Sequence, residues 1–178
     1  DFGVRAQADY LDRALTALQL PTVILVGIDV GAIVAMTLAS VRRDRVTKLA
    51  LIGAPPLDDI PGPAIRELQR DTAKHALRLS RGLFGASSLL TPCLEESVDA
   101  PRHMPAVLVG RYLAPYLGRD GANHLLALAG ALEEEELEDL SLQQIGQETL
   151  VVRGTRDRWC TKIIAENYAD LLPRGRYE

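Results

Sequence analysis

At 178 residues, 47% of them hydrophobic, the chain is long enough for one globular domain and too apolar for a disordered one. A formal net charge of -4, with no basic stripe, excludes the electrostatic footprint of a nucleic-acid binder. Cys93 and Cys160 are far apart and lack metal-ligand spacing, so the sequence points to a reducing cytoplasm rather than a disulfide framework, and the polar opening DFGVRAQADY does not read as a signal peptide.

Val4, Ala8, Leu11, Leu15 and Leu18 recur at helical spacing, which predicts one apolar face of a helix that Pro21 ends. Residues 22–26 (TVILV) are short, apolar and β-branched, and predict a strand buried on both faces. Residues 27–31 (GIDVG) read as a turn, and residues 32–40 (AIVAMTLAS) as a helix packed on several sides. Residues 22–40 imitate a membrane span, but Asp29 near the middle costs about 2.5–3.5 kcal/mol on insertion scales. A buried strand turning into a buried helix explains the same run without that cost, so no membrane contact is expected. Residues 48–53 (KLALIG) are a second buried strand, closed by Ala54-Pro55-Pro56.

From about residue 57 to residue 146 the patterns are helical, broken by Pro61, Pro63, Pro92, Pro101, Pro105 and Pro115, with residues 124–132 (HLLALAGAL) the clearest helix. The acidic run 133–136 reads as a solvated face or a helix end. Residues 149–153 (TLVVR) are a strand, 154–157 (GTRD) a turn, and 161–172 a helix with Thr161 as N-cap and Pro173 just past its end. The alternation predicts an α/β fold: a mostly parallel sheet with helices on both faces, whose core is formed by residues 1–56 and 147–178. Residues 57–146 then form an inserted helical cap at the C-terminal ends of the strands, the edge where such sheets bind ligands.

The chemistry concentrates at Gly27-Ile28-Asp29-Val30-Gly31, between a buried strand and a helix. A nucleophile elbow needs this arrangement, because its turn is so tight that the central residue takes strained backbone angles. Glycines at Gly27 and Gly31 would remove side-chain clashes on either side. The N–H of Val30 would face the reacting centre as an oxyanion donor, and the helix N-terminus favours a carboxylate at Asp29. The plainer alternative is a Gly-bounded turn whose Asp caps the helix. No G-x-S-x-G occurs; Ser80 in LSRG lacks the first glycine and falls in the helical middle.

TVILVGIDVGAIVAMTLAS resembles the elbow of the α/β-hydrolase superfamily, in the branch with an Asp nucleophile: epoxide hydrolases and haloalkane dehalogenases. LVVRGTRDRW resembles the strand and turn that carry that superfamily's triad acid, which maps to Asp157. The resemblance follows the whole chain in element order, with the elbow and acid segments its specific parts. It implies a cofactor-independent and metal-free hydrolase in which Asp29 displaces a leaving group from saturated carbon of a small, apolar substrate, forming an alkyl ester that an activated water then opens. A carboxylate is a poor nucleophile toward an ester substrate, since the product would be a less stable anhydride. The epoxide-hydrolase subtype leads and the dehalogenase subtype follows. The former implies cap tyrosines as proton donors, for which Tyr112 and Tyr116, four apart, are the candidates, although Pro115 falls between them.

The chain departs from the family pattern in several places. Ile28 replaces the usual His before the nucleophile and Val30 a frequent Trp after it, which weighs against halide binding and keeps a catalytically inactive binding protein as an alternative. Trp159 is expected to pack at the strand end. Asp58 and Asp59 are a second candidate position for the acid. His75, His103 and His124 all precede Asp157 and are expected to be surface or packing residues rather than the base. Without a base and a second oxyanion donor, these 178 residues alone are expected not to turn substrate over. A nucleotide-binding reading of GIDVG, by likeness to the phosphate loop of actin and sugar kinases, is disfavoured because a helix and not a hairpin strand follows. The sequence leaves the oligomeric state open.

Overall fold

The computed structural model describes residues 2–79, 83–133 and 137–178. The chain divides into two compact units, Asp1–Ile60 with Glu133–Glu178, and Pro61–Leu132. The first unit opens with α1 (Val4–Ala17), β1 (Val23–Ile28), α2 (Val30–Val41) and β2 (Val46–Ile52). The second holds α3 (Pro63–Gln69), α4 (Asp71–Leu79), α5 (Leu83–Glu96), α6 (Ala106–Leu113) and α7 (Gly118–Gly130). The first unit then resumes with β3 (Glu148–Val152), α8 (Lys162–Leu171) and β4 (Gly175–Tyr177). Its four strands form one parallel sheet in the order β1-β2-β3-β4.

Register explains the burial. Leu25, Leu49 and Thr149 lie side by side, as do Gly27, Leu51 and Val151. Leu49, Leu51, Thr149 and Val151 are buried, and α2 on β1 and β2 and α8 on β3 and β4 provide the covering layer, with α1 packed on α2. The opposite face carries Ile24, Val26 and Ile28, exposed at 62%, 61% and 63%. The strands therefore alternate, where their continuous apolar sequence predicts burial on both faces. The burial within these residues falls on one side of the sheet, the side on which the described helices of this unit pack.

α1 buries Val4, Ala8 and Leu15, as its periodicity predicts, but it stops at Ala17 and leaves Leu18 exposed. Gln19 takes a left-handed conformation (φ 57°), and Leu20 N–H donates to Leu15 O at 2.9 Å. A left-handed helix end does the work assigned to Pro21. Asp12 fixes α1 to the rest of the unit, accepting from Arg42 and, at 2.8 Å, from Arg45 Nη1, which also reaches Thr16 Oγ1.

The strand-to-helix turn is shorter than expected. β1 runs on through Gly27 and Ile28, Asp29 N–H donates to Ile52 O at 3.0 Å, and α2 begins at Val30. Asp29 alone makes the turn, so the helix passes close beside the strand. A Cβ on Gly27 would lie 2.4 Å from Gly31 O and 2.5 Å from Ala32 Cα. At Gly31 a Cβ would meet nothing within 4 Å, which corrects the expectation that both glycines relieve a clash.

The second unit packs around two apolar clusters, Leu68, Leu77, Leu125 and Ala129 in one, Met104, Val109 and Leu113 in the other. Gln69 Nε2 donates to Ala129 O and Leu132 O, satisfying carbonyls at the end of α7. α5 runs through Pro92 instead of breaking there, at the loss of a backbone hydrogen bond. Ser80 and residues 134–136 of the acidic run lie outside the described residues. No described helix is long and apolar enough to cross a membrane.

The two glycines should therefore separate on mutation. Gly27→Ala is expected to destabilise by about 3 kcal/mol, since its new methyl meets backbone that cannot move aside. Gly31→Ala, near the start of a helix with open space beside it, is expected to be neutral or to gain up to about 1 kcal/mol. Urea unfolding of both variants checks this; equal losses would mean that the close approach is not at Gly27.

Candidate active site

Asp29 sits between β1 and α2 with φ 53° and ψ -129°, a conformation that non-glycine residues rarely adopt and that costs on the order of 1–3 kcal/mol. It is held there by the ladder bond to Ile52 O on one side and by Ala32 N–H donating to Asp29 O (2.9 Å) on the other. Its side chain makes no capping hydrogen bond to α2, so the plainer reading of Asp29 as a helix cap lacks its bond. The residue remains open to solvent, yet the atoms crowding the turn strip water from its carboxyl and raise its pKa above the usual 3.8. The Val30 N–H offsets part of this, and the negative charge of Asp157 adds to it.

Asp157 follows β3, and Asp29 follows β1, so both lie at the C-terminal edge of the parallel sheet. Asp157 Oδ1 accepts from the backbone N–H groups of Trp159 and Cys160, both at 2.9 Å. Arg153 braces the same loop by donating to Thr155 O, Cys160 O and Tyr177 Oη. Asp157 Oδ2 lies beside Gly53, which ends β2 with φ +56°. The structure thus brings Asp29, the Val30 N–H and Asp157 to one edge. Asp58 and Asp59, the other candidate position for the acid, lie in a single helical turn, Asp58 exposed and Asp59 half-buried, and the charge of Asp58 acts on Tyr168.

Tyr112 and Tyr116 do not share a helix face. α6 ends at Leu113, and Pro115 opens a separate turn over Ala114–Tyr116. Tyr112 is 54% exposed, while Tyr116 packs against the cluster of Leu68, Leu77, Leu125 and Ala129. His75, His103 and His124 are all exposed residues of the second unit. Trp159 is 48% exposed, and it is its backbone rather than its ring that is engaged at Asp157, against the expectation of packing. Among the described residues no group of three or more His, Cys, Asp or Glu could hold a metal ion.

Two features escaped sequence reading. Gly53 carries the left-handed turn after β2, which a glycine just before Ala54-Pro55-Pro56 could have signalled. Tyr168 Oη donates to Pro55 O at 2.6 Å and ties α8 to the loop after β2. Burial pushes that phenol well above its ordinary pKa, so it stays a neutral donor.

A parallel sheet whose C-terminal edge carries a strained acidic turn and a second carboxylate is an α/β architecture with two carboxyl groups at the edge where such sheets bind ligands. The chain belongs to the α/β-hydrolase fold family, whose profile matches residues 1–178. An α/β-hydrolase fold protein from Burkholderia ambifaria superposes with TM-score 0.82 at 16% identity, over 99% of this chain and 64% of that one. Haloalkane dehalogenase DbeA from Bradyrhizobium elkani gives 0.75 at 20%, over 99% and 65%. The esterase EaEST from Exiguobacterium antarcticum gives 0.71 at 22%, over 99% and 65%. The chain thus spans about two thirds of the length of each. No curated protein matches the chain.

The raised pKa of Asp29 gives a stability test. Its folded-state value lies above that of the unfolded chain, so ionisation costs stability; the cost is absent below 3.8 and complete once pH exceeds the raised value. Asn cannot ionise and tolerates positive φ. Asp29→Asn should therefore melt above the parent at neutral pH, and the gap should narrow as pH falls through the raised pKa toward 3.8. Thermal denaturation across that range checks this, and a gap that widens toward acid would contradict it.

Proposed function

We propose that this chain carries the nucleophile and acid of an Asp-dependent α/β-hydrolase of the epoxide-hydrolase type. The observation that supports this most is the strained, solvent-accessible Asp29 at the start of α2, uncommitted to capping that helix. A strained residue at a ligand-binding edge points to function.

In this reading an Asp29 carboxylate oxygen attacks saturated carbon of a small, apolar substrate. The C–O bond of an epoxide breaks as the ring oxygen takes a proton; of the two candidate tyrosines, Tyr112 has the free hydroxyl and Tyr116 is the weaker donor because its ring is packed. Water then attacks the ester carbonyl, the Val30 N–H stabilises the resulting oxyanion, and the diol leaves as the Asp29 carboxylate is restored. Asp157 orients the base that deprotonates this water. The apolar row of exposed Ile28 and half-buried Ile52 and Val152, at the end of the strands, supports an apolar substrate. No cofactor or metal takes part in these steps. A haloalkane substrate would follow the same course with halide as leaving group, though Val30 gives it no indole N–H. A chain that has lost catalysis and only binds is the third outcome of the test.

No histidine follows Asp157 in these 178 residues, where the nucleophile–acid–base order would have it, so the chain alone should stop at the ester. Incubation with a panel of terminal epoxides and haloalkanes should add one substrate mass per chain, on a peptide containing Asp29, and Asp29→Asn should abolish the adduct. The extent of labelling should fall as pH drops through the raised pKa of Asp29, where the carboxylate is lost. Labelling by haloalkanes alone would select the dehalogenase subtype. No adduct with any of them, or turnover that survives loss of the Asp29 carboxylate, would sink the proposal.

A further inference from the structure

We propose that Gly53 is a positioning residue for Asp157, a backbone site that must stay free of a side chain so that the carboxylate presents Oδ2 toward the end of β2. A Cβ built on Gly53 would lie 3.1 Å from Asp157 Oδ2, closer than carbon and carboxylate oxygen normally approach. An ordinary Asp would swing away by rotating its carboxyl group. Asp157 cannot do so freely, because Oδ1 already accepts from Trp159 N–H and Cys160 N–H at 2.9 Å each. Turning Oδ2 aside turns Oδ1 off both donors. Nor can Gly53 retreat, since its N–H donates to Val152 O at 2.9 Å and its φ of +56° sets the exit from β2. Gly154 is the contrasting neighbour: a Cβ there would sit 3.9 Å from Asp157 Cβ, in ordinary contact. One oxygen of Asp157 is thus fixed by its own loop, and the other is directed by the missing side chain of the adjacent strand. For catalysis, the consequence rests on reading Asp157 as the acid, whose Oδ2 then orients the base; the geometry does not.

The experiment is a double-mutant cycle of Gly53→Ala and Asp157→Ala in the 178-residue chain, with Gly154→Ala as comparison. If Gly53 only serves its positive φ, the melting loss is the same with and without the Asp157 carboxylate. If it leaves room for Oδ2, the loss in the parent should be about twice that in the Asp157→Ala background. The amide protons of Trp159 and Cys160 provide a reading that mere loss of stability does not move: Gly53→Ala should shift both upfield as their bonds to Oδ1 lengthen, and Gly154→Ala should leave them in place. Should Gly53→Ala fail to fold, Gly53→Asn tolerates positive φ while adding the same Cβ, and carries both readings. Additive melting losses, or unmoved Trp159 and Cys160 amides, overturn the proposal. Neither reading depends on Asp29 reacting with any substrate, so absence of alkylation would remove the proposed function and leave this inference standing.

Discussion

The close approach of α2 to β1 at Gly27 is the contact on which the site depends. A helix that starts one residue after a strand must double back across it, and here it does so with Gly31 O and Ala32 Cα where a side chain on residue 27 would stand. The single turn residue then has one way to connect the two, with φ 53° and ψ -129°. The strain at Asp29 is therefore a local consequence of packing at Gly27, held in place by the ladder bond to Ile52 and by α2, which is buried on nearly all sides. A looser turn would let Asp29 relax toward ordinary angles and bring its carboxyl down to cap the helix.

The same geometry sets the electrostatics. Lifting the carboxyl away from the capping position leaves it crowded by the turn and beside a second negative charge. The N-terminal N–H of the helix opposes both effects only in part. The balance leaves the Asp29 carboxylate less stabilised than a capped one, with its pKa above the usual 3.8. Asp157 is treated differently: its Oδ1 is fully engaged by two backbone donors, so it is held in place more firmly than Asp29. Two carboxylates at one edge thus have two environments, one open to solvent and one anchored.

Much of this was legible in the sequence, and for physical reasons. G-x-D-x-G between a β-branched run and a small-residue run announces a strand–helix turn, because the first run favours a strand and the second continues as a helix. Thr161 was legible as an N-cap because its hydroxyl reaches the Ile164 N–H. What could not be read depends on neighbours distant in sequence. Ile24, Val26 and Ile28 look like core residues, and only the register with Lys48, Ala50 and Ile52 shows that they share a face on which no described helix of the first unit packs. Gly31 looked equivalent to Gly27, but the helix turns its Cα outward. The pairing of Tyr112 with Tyr116 assumed a continuous helix that Pro115 reorganises. The bond between Tyr168 and Pro55 joins residues more than a hundred positions apart, with no local pattern at either end.

Ile28 shows how the two faces of the sheet divide their tasks. Its backbone belongs to the elbow, but its side chain lies on the exposed face in register with Ile52 and Val152. The close approach that sets the turn is at Gly27 on the buried face and does not involve the side chain at residue 28. The departure from the family pattern at this position thus leaves the geometry of Asp29 intact and changes the surface beside it, where three branched apolar side chains follow one another across the strand ends. A polar group there would hydrate the approach to the carboxyl, whereas an apolar row withholds water from it, in the same direction as the burial that raises its pKa. The backbone strain at Asp29 comes from packing on one face of β1, and the apolar character of the surface beside it comes from the other.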